Sequence, residues 1–185
     1  MSGSFAPNIA GIHPGFVAGR YYMAHYPGNP TTGTLSTGFI YYVFYYLPVA
    51  SNFDRICVNV TTQASAGNTG RLGIYSLSGN TPTSLIVDAG DVAIDSTGAK
   101  EATINTSLAP GWYALAFMQS GGTAAFSIAG TSASVAGYVY GTTSVSTTFN
   151  SCLRATQSYG SLPSTAPTTS IGLVTGAPII WLRAA

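Results

Sequence analysis

The chain is 185 residues long with a formal net charge of +1, and only 6% of its residues are Asp, Glu, Lys or Arg, against roughly 25% in an ordinary soluble domain. The length suits one domain with a sizeable core, while the six basic residues stand singly and make no contiguous positive surface for nucleic acid. Even the apolar stretch 39–50 is tyrosine-rich and broken by Pro48, well short of the roughly 18 apolar residues of a membrane span.

So little charge gives weak repulsion between copies, which points to a subunit of an assembly. Nowhere do apolar residues recur at helical spacing for long, and Glu, Lys and Gln are scarce, so long helices are not expected. Short strands separated by Gly, Pro, Ser, Thr and Asn predict an all-β fold, an antiparallel, jelly-roll-like sandwich of about eight strands. Residues 1–19 read as an irregular N-terminal docking segment and 20–185 as the sandwich. The first segment lacks the basic start and continuous apolar centre of a secretory signal.

Tyrosine is enriched early, at Tyr21, Tyr22 and Tyr26 and then at Tyr41, Tyr42, Tyr45 and Tyr46. The strand at 39–47 is apolar on both faces, with Ile40, Tyr42, Phe44 and Tyr46 on one and Tyr41, Val43, Tyr45 and Leu47 on the other. One face is expected to meet another subunit, making Tyr21, Tyr22, Tyr41, Tyr42, Phe44, Tyr45 and Tyr46 the candidate interface. The clearest strand, 53–61, alternates Ile56, Val58 and Val60 with Arg55, Cys57 and Asn59. Strands at 71–75 and 85–95 follow, joined by a turn at 78–82. Arg71 opens its strand and is assigned a structural role, bonding edge carbonyls or Asp groups nearby.

A turn at 96–98 leads to a strand at 101–106. Pro110 and Gly111 fit the centre of a type II turn before a strand at 112–118 that is apolar on both faces. Weaker strands are expected at 124–129, 137–140 and 150–155. The Ser/Thr/Pro-rich stretch 156–176 is too long for an ordinary turn, so it crosses the sandwich or contacts neighbours. The apolar run 178–182 returns to a sheet.

Signals for chemistry are weak. Asp88, Asp91 and Asp95 are the carboxylates available for acid–base work, but on a regular strand Asp91 and Asp95 share a face that Asp88 does not. Gly90 and Ala89 suggest a bulge or edge there, and solvated edge charges are the expectation. No calcium-loop pattern occurs, and neither His13 nor His25 has a second ligand at metal spacing. No nucleophile elbow, phosphate loop or dinucleotide fingerprint is present, so neither an enzyme nor a cofactor is expected. Cys57 and Cys152 read as free thiols, with the redox compartment open. Asn59-Val60-Thr61 and Asn105-Thr106-Ser107 match the glycosylation pattern, which arises readily by chance in such a chain.

Several motifs act together: Phe53-Asp54-Arg55-Ile56 leading into Val58-Asn59-Val60, then Gly70-Arg71-Leu72-Gly73-Ile74-Tyr75, then residues 85–90, then Leu108-Ala109-Pro110-Gly111-Trp112-Tyr113-Ala114-Leu115-Ala116. With Gly19-Arg20-Tyr21-Tyr22 upstream and residues 178–183 at the end, this pattern resembles a module of tailed-bacteriophage virion surface proteins of the tail-fibre or decoration type. The resemblance implies a jelly-roll sandwich that trimerises or caps a fibre, with adhesion or particle architecture as its function and no catalytic residues to carry across. The expected partners are therefore other copies in a homotrimer and other virion structural proteins, within the virion. No heptad shaft or collagen-like repeat is present, which favours a decoration or tip subunit. The alternative is a carbohydrate-binding module that recognises a host-surface glycan, with an exposed Tyr or Trp112 stacked on the sugar.

Overall fold

A computed structural model of the protein describes residues 13–24, 29–130, 135–142 and 150–185. Its twelve described strands are β1 (Tyr21–Met23), β2 (Pro30–Thr34), β3 (Phe39–Leu47), β4 (Ser51–Thr62), β5 (Thr69–Ser78), β6 (Thr81–Ala93), β7 (Gly98–Leu108), β8 (Gly111–Gln119), β9 (Ala125–Ala129), β10 (Cys152–Thr156), β11 (Gly172–Val174) and β12 (Ile180–Ala184). One short helix, α1 (Val135–Val139), lies between β9 and β10.

Eight consecutive strands form the framework. β5 pairs with β6, β4 with β7, β3 with β8 and β2 with β9, all antiparallel, so the second four strands retrace the first four in reverse order. This long double ribbon rolls up through the pairs β4·β9 and β5·β8. The result is β2-β9-β4-β7 in one sheet and β3-β8-β5-β6 in the other, the pairing of a jelly roll. The remaining strands extend it: β12 and β1 widen the first sheet beside β4, and β10 and β11 widen the second beside β3. The sandwich expected from sequence is therefore present, with four strands beyond the expected eight.

Period-two alternation explains the core between the sheets. Tyr41, Val43, Tyr45 and Leu47 of β3 face Ile56, Val58 and Val60 of β4, with Leu72, Leu115 and Phe117 from the second sheet and Phe126, Ile180 and Leu182 from the first. Phe117 and Phe126 meet edge to face across the layers, ring centroids 5.0 Å apart, a geometry favoured by the ring quadrupoles. Phe16 also packs on this core and meets Phe53 and Tyr22 edge-on, while Gly19 N donates to Ala184 O at 2.8 Å. Residues 13–19 thus dock on their own sandwich.

A second cluster lies on the outer face of the second sheet, where Ile40, Tyr42, Phe44, Tyr75, Ala114, Ala116, Met118 and Leu153 would otherwise be open. The long polar stretch covers them. Residues 159–171 lay Leu162 and Ala166 onto this face, with Tyr159 and Ile171 partly buried. Tyr42 and Tyr75 donate their hydroxyls to the carbonyls of Pro167 and Pro163 at 3.2 and 2.9 Å. The strap also bonds the edge of β6, through Leu85 N to Ser164 O at 2.9 Å and Ala166 N to Thr83 O at 2.6 Å. The β6 edge at residues 83–85, which would otherwise offer unpaired backbone groups, is thereby paired. Of the two courses open to this stretch, it takes the crossing.

Two local expectations are corrected and one strand is additional. Residues 137–140 are not a strand: 135–139 are helical, Tyr140 N donates to Ala136 O at 2.8 Å, and Ala136 and Val139 share a buried face three residues apart. Short apolar runs carry too few residues to separate the two periods. Gly111 has φ 154°, not the roughly +80° of a type II turn, so the link to β8 is more extended. β2, Pro-Thr-Thr-Gly-Thr, has no apolar alternation and was not foreseen.

Candidate functional site

The carboxylates of β6 are organised by a bulge. Leu72 pairs with Gly90 and Gly73 with Asp88, leaving Ala89 as the extra residue, and Gly90 takes φ 81°. The bulge turns Asp88 to the face of Asp91, against the regular-strand expectation, and Arg71 joins them. Its Nε and Nη2 donate to Asp88 Oδ1 and Oδ2 at 2.8 and 2.7 Å, and its Nη1 to Asp91 Oδ1 at 2.8 Å. Asp88 also accepts from the amides of Gly90 at 3.2 Å and Leu162 at 3.1 Å, and Tyr159 Oη donates to Asp91 Oδ1 at 2.9 Å. Asp88 and Asp91 are thus ion-paired to Arg71, whereas Asp95 stands apart and accepts from Gly67 N at 3.3 Å.

Burial alone would raise the Asp88 pKa, but the Arg71 hydrogen bonds and the two amides outweigh it and hold the carboxyl below its ordinary range. It is ionised at neutral pH and has no proton to donate, so this constellation fastens the strap to the sheet.

The tyrosine-rich strand does not face outward. Tyr41, Tyr42, Phe44 and Tyr45 are each at most 3% exposed within the chain, because β3 lies in the interior of its sheet and the strap covers its outer side. These four, expected at a subunit interface, are packed within the chain itself. Tyr21 is exposed, Tyr22 and Tyr46 are half-buried, and Tyr26 and His25 lie outside the described residues. Trp112 is half-buried and tilted against Tyr46, ring centroids 5.0 Å apart. His13 Nδ1 accepts from Gly15 N at 3.1 Å. Among the described residues no three His, Cys, Asp or Glu side chains converge as a metal site would require, and no helix is long and apolar enough to cross a membrane.

The outer face of the first sheet carries a concavity that the sequence did not single out. Trp181 on β12 and Glu101 on β7 flank Cys57 of β4 in register. Tyr21 on β1 reaches across them to donate its hydroxyl to Glu101 Oε1 at 2.5 Å. That hydrogen bond, with a little desolvation, raises the Tyr21 pKa. Asn59 Nδ2 donates to Ser127 Oγ at 2.9 Å on the other side. Together with Ala99 and Ile179 these residues enclose about 340 Å³, mostly apolar at the floor. Cys57 lies in that floor, 4% exposed, its thiol pKa pushed up to about 12 by burial. Arg183 lies in the adjoining row but is engaged with both Asp54 oxygens at 2.8 and 2.7 Å. Alternation within 178–182 was the available signal, since Ile180 and Leu182 point inward and leave Trp181 on the opposite face.

No protein-family model matches the chain, and no curated protein resembles it at a significant level.

Proposed function

We propose that this protein is a non-enzymatic structural subunit of a particle surface, a decoration or tip protein of a tailed-phage virion that works as an oligomer. The observation that carries the reading is the combination of a jelly roll with a surface almost free of charge, 6% charged residues in all. Such a surface repels its own copies weakly and favours permanent contacts. The family resemblance stated above points the same way.

With the β3 face occupied by the strap, self-association falls on another patch in this reading. Tyr46 and Trp112 form a tilted ring pair at the end of β3 and the start of β8. Nearby, α1 is tied to the β5–β6 turn by Asn80 Nδ2 donating to Tyr140 O at 3.1 Å and carries Tyr138 at 84% exposure. Aromatic rings that keep solvent-facing area are the groups that subunit interfaces use most.

Immunogold electron microscopy of intact particles from the source lysate, with antibody to the folded protein, tests the placement. Label on heads or tails supports the reading, and particles without label overturn it. Light scattering tests the assembly separately: a monomer that persists on concentration removes the oligomer.

A further inference from the structure

We propose that the concavity on the first sheet is a binding site for a neutral sugar ring of a glycan, stacked on Trp181. A pyranose is amphipathic: one face presents C–H groups and the rim presents hydroxyls that donate and accept. The site has the complementary pattern. Trp181 gives an aromatic wall over a floor of Cys57 and Ile179, and polar groups stand at the edges. Glu101 Oε1 accepts from Tyr21, and Oε2 is left to accept from a sugar hydroxyl. On the other side Asn59 and Ser127 offer an amide and a hydroxyl already oriented by their mutual hydrogen bond. The volume of 340 Å³ sits at the small end of the roughly 300–1,000 Å³ typical of small-ligand sites, enough for one or two rings.

Charge selects the class. Among the described residues lining the site Glu101 alone is charged, and the adjacent Arg183 is held by Asp54. A phosphate, sulfate or acidic sugar would meet the Glu101 carboxylate, and the nearby Arg183 guanidinium is already committed to Asp54. An acyl chain would cover the Glu101 carboxylate and leave its Oε2 without a donor, an unfavourable exchange. A neutral ring with hydroxyls meets neither penalty. The inference stands on the site alone and does not depend on where in a particle the protein sits.

The intact protein is tested on an array of neutral and acidic oligosaccharides and by tryptophan fluorescence with galactose, rhamnose and N-acetylglucosamine. At least one neutral sugar is expected to bind with Kd of about 0.1–1 mM, the range open to a shallow site. Trp181→Ala is expected to weaken it at least about tenfold. Ala99→Trp fills the site from an exposed position on β7 and is expected to give the same loss, which covers the case of a Trp181 variant that fails to fold. Absence of neutral-sugar binding, preference for acidic glycans, or unchanged affinity in Ala99→Trp overturns the proposal. So does a folded Trp181 variant that alters the oligomeric state without affecting sugar binding. None of these outcomes moves the immunogold label, so the two readings fail separately.

Discussion

Arg71 and Asp88 illustrate how much one bulge decides. Both side chains are largely buried, 17% and 21% exposed, and meet through two parallel hydrogen bonds. Removing the guanidinium in Arg71→Ala leaves Asp88 without its main partner and is expected to cost about 1–3 kcal/mol, read as a lower urea midpoint with an unchanged slope. The pH dependence follows from the depressed folded-state pKa of Asp88. Its stabilisation is complete above the unfolded value and is lost as pH falls through the lower folded value, so below the ordinary 3.8. Thermal unfolding at about pH 5 and about pH 3 should show a smaller acid loss in Asp88→Asn, on top of a lower starting stability. Arg71 was legible as a strand-opening residue near Asp groups. Its bidentate geometry was not, because it needs the unpaired Ala89 to bring Asp88 round.

Gly73 belongs to the same scale for a different reason. A Cβ there would stand 2.5 Å from the Val87 carbonyl oxygen and run into Leu162 Cδ1. Gly73→Ala should therefore displace the strap and destabilise the fold by about 1–3 kcal/mol, with chemical-shift changes centred on Leu162. Nothing in the sequence marks this glycine as special, because the atom it makes room for lies 89 positions away.

At the scale of elements, the strap determines what the second sheet can do. Leu162 is 5% exposed and seated among aromatic and alanine side chains, so Leu162→Ala is expected to cost about 2–4 kcal/mol. Amide exchange should rise first in residues 159–166, where the backbone bonds to β6 are made. A strand apolar on both faces, such as β3 or β8, signals burial on two sides. It does not say whether the second cover is another subunit or a distant part of the same chain. Here the cover is polar in composition and nearly free of periodic pattern, so its apolar contacts, Leu162, Ala166 and Ile171, are too sparse to register as an element. The same sparseness hid β2 and made α1 look like a strand.

For the whole molecule, the two cysteines give a direct test of the packing. Both are free and buried, one on each sheet, and burial raises both thiols, Cys152 most of all. A thiol reagent at neutral pH should label neither in the native protein and both after unfolding, and a reducing agent should leave Tm unchanged. Rapid labelling of either native thiol would contradict this arrangement.

The sequence by itself determined the fold class and the main strands, because period-two alternation, turn residues and the lack of helical spacing are local properties. It also set the low charge from which the assembly reading starts. The tertiary structure decided which apolar faces are used up internally. It turned Tyr41, Tyr42, Phe44 and Tyr45 from candidate contacts into core, and brought Tyr21, Asn59, Glu101, Ser127 and Trp181 from five strands to one concavity. Those outcomes depend on strand order and on where a long connection lies, and neither is written in the pattern of neighbouring residues.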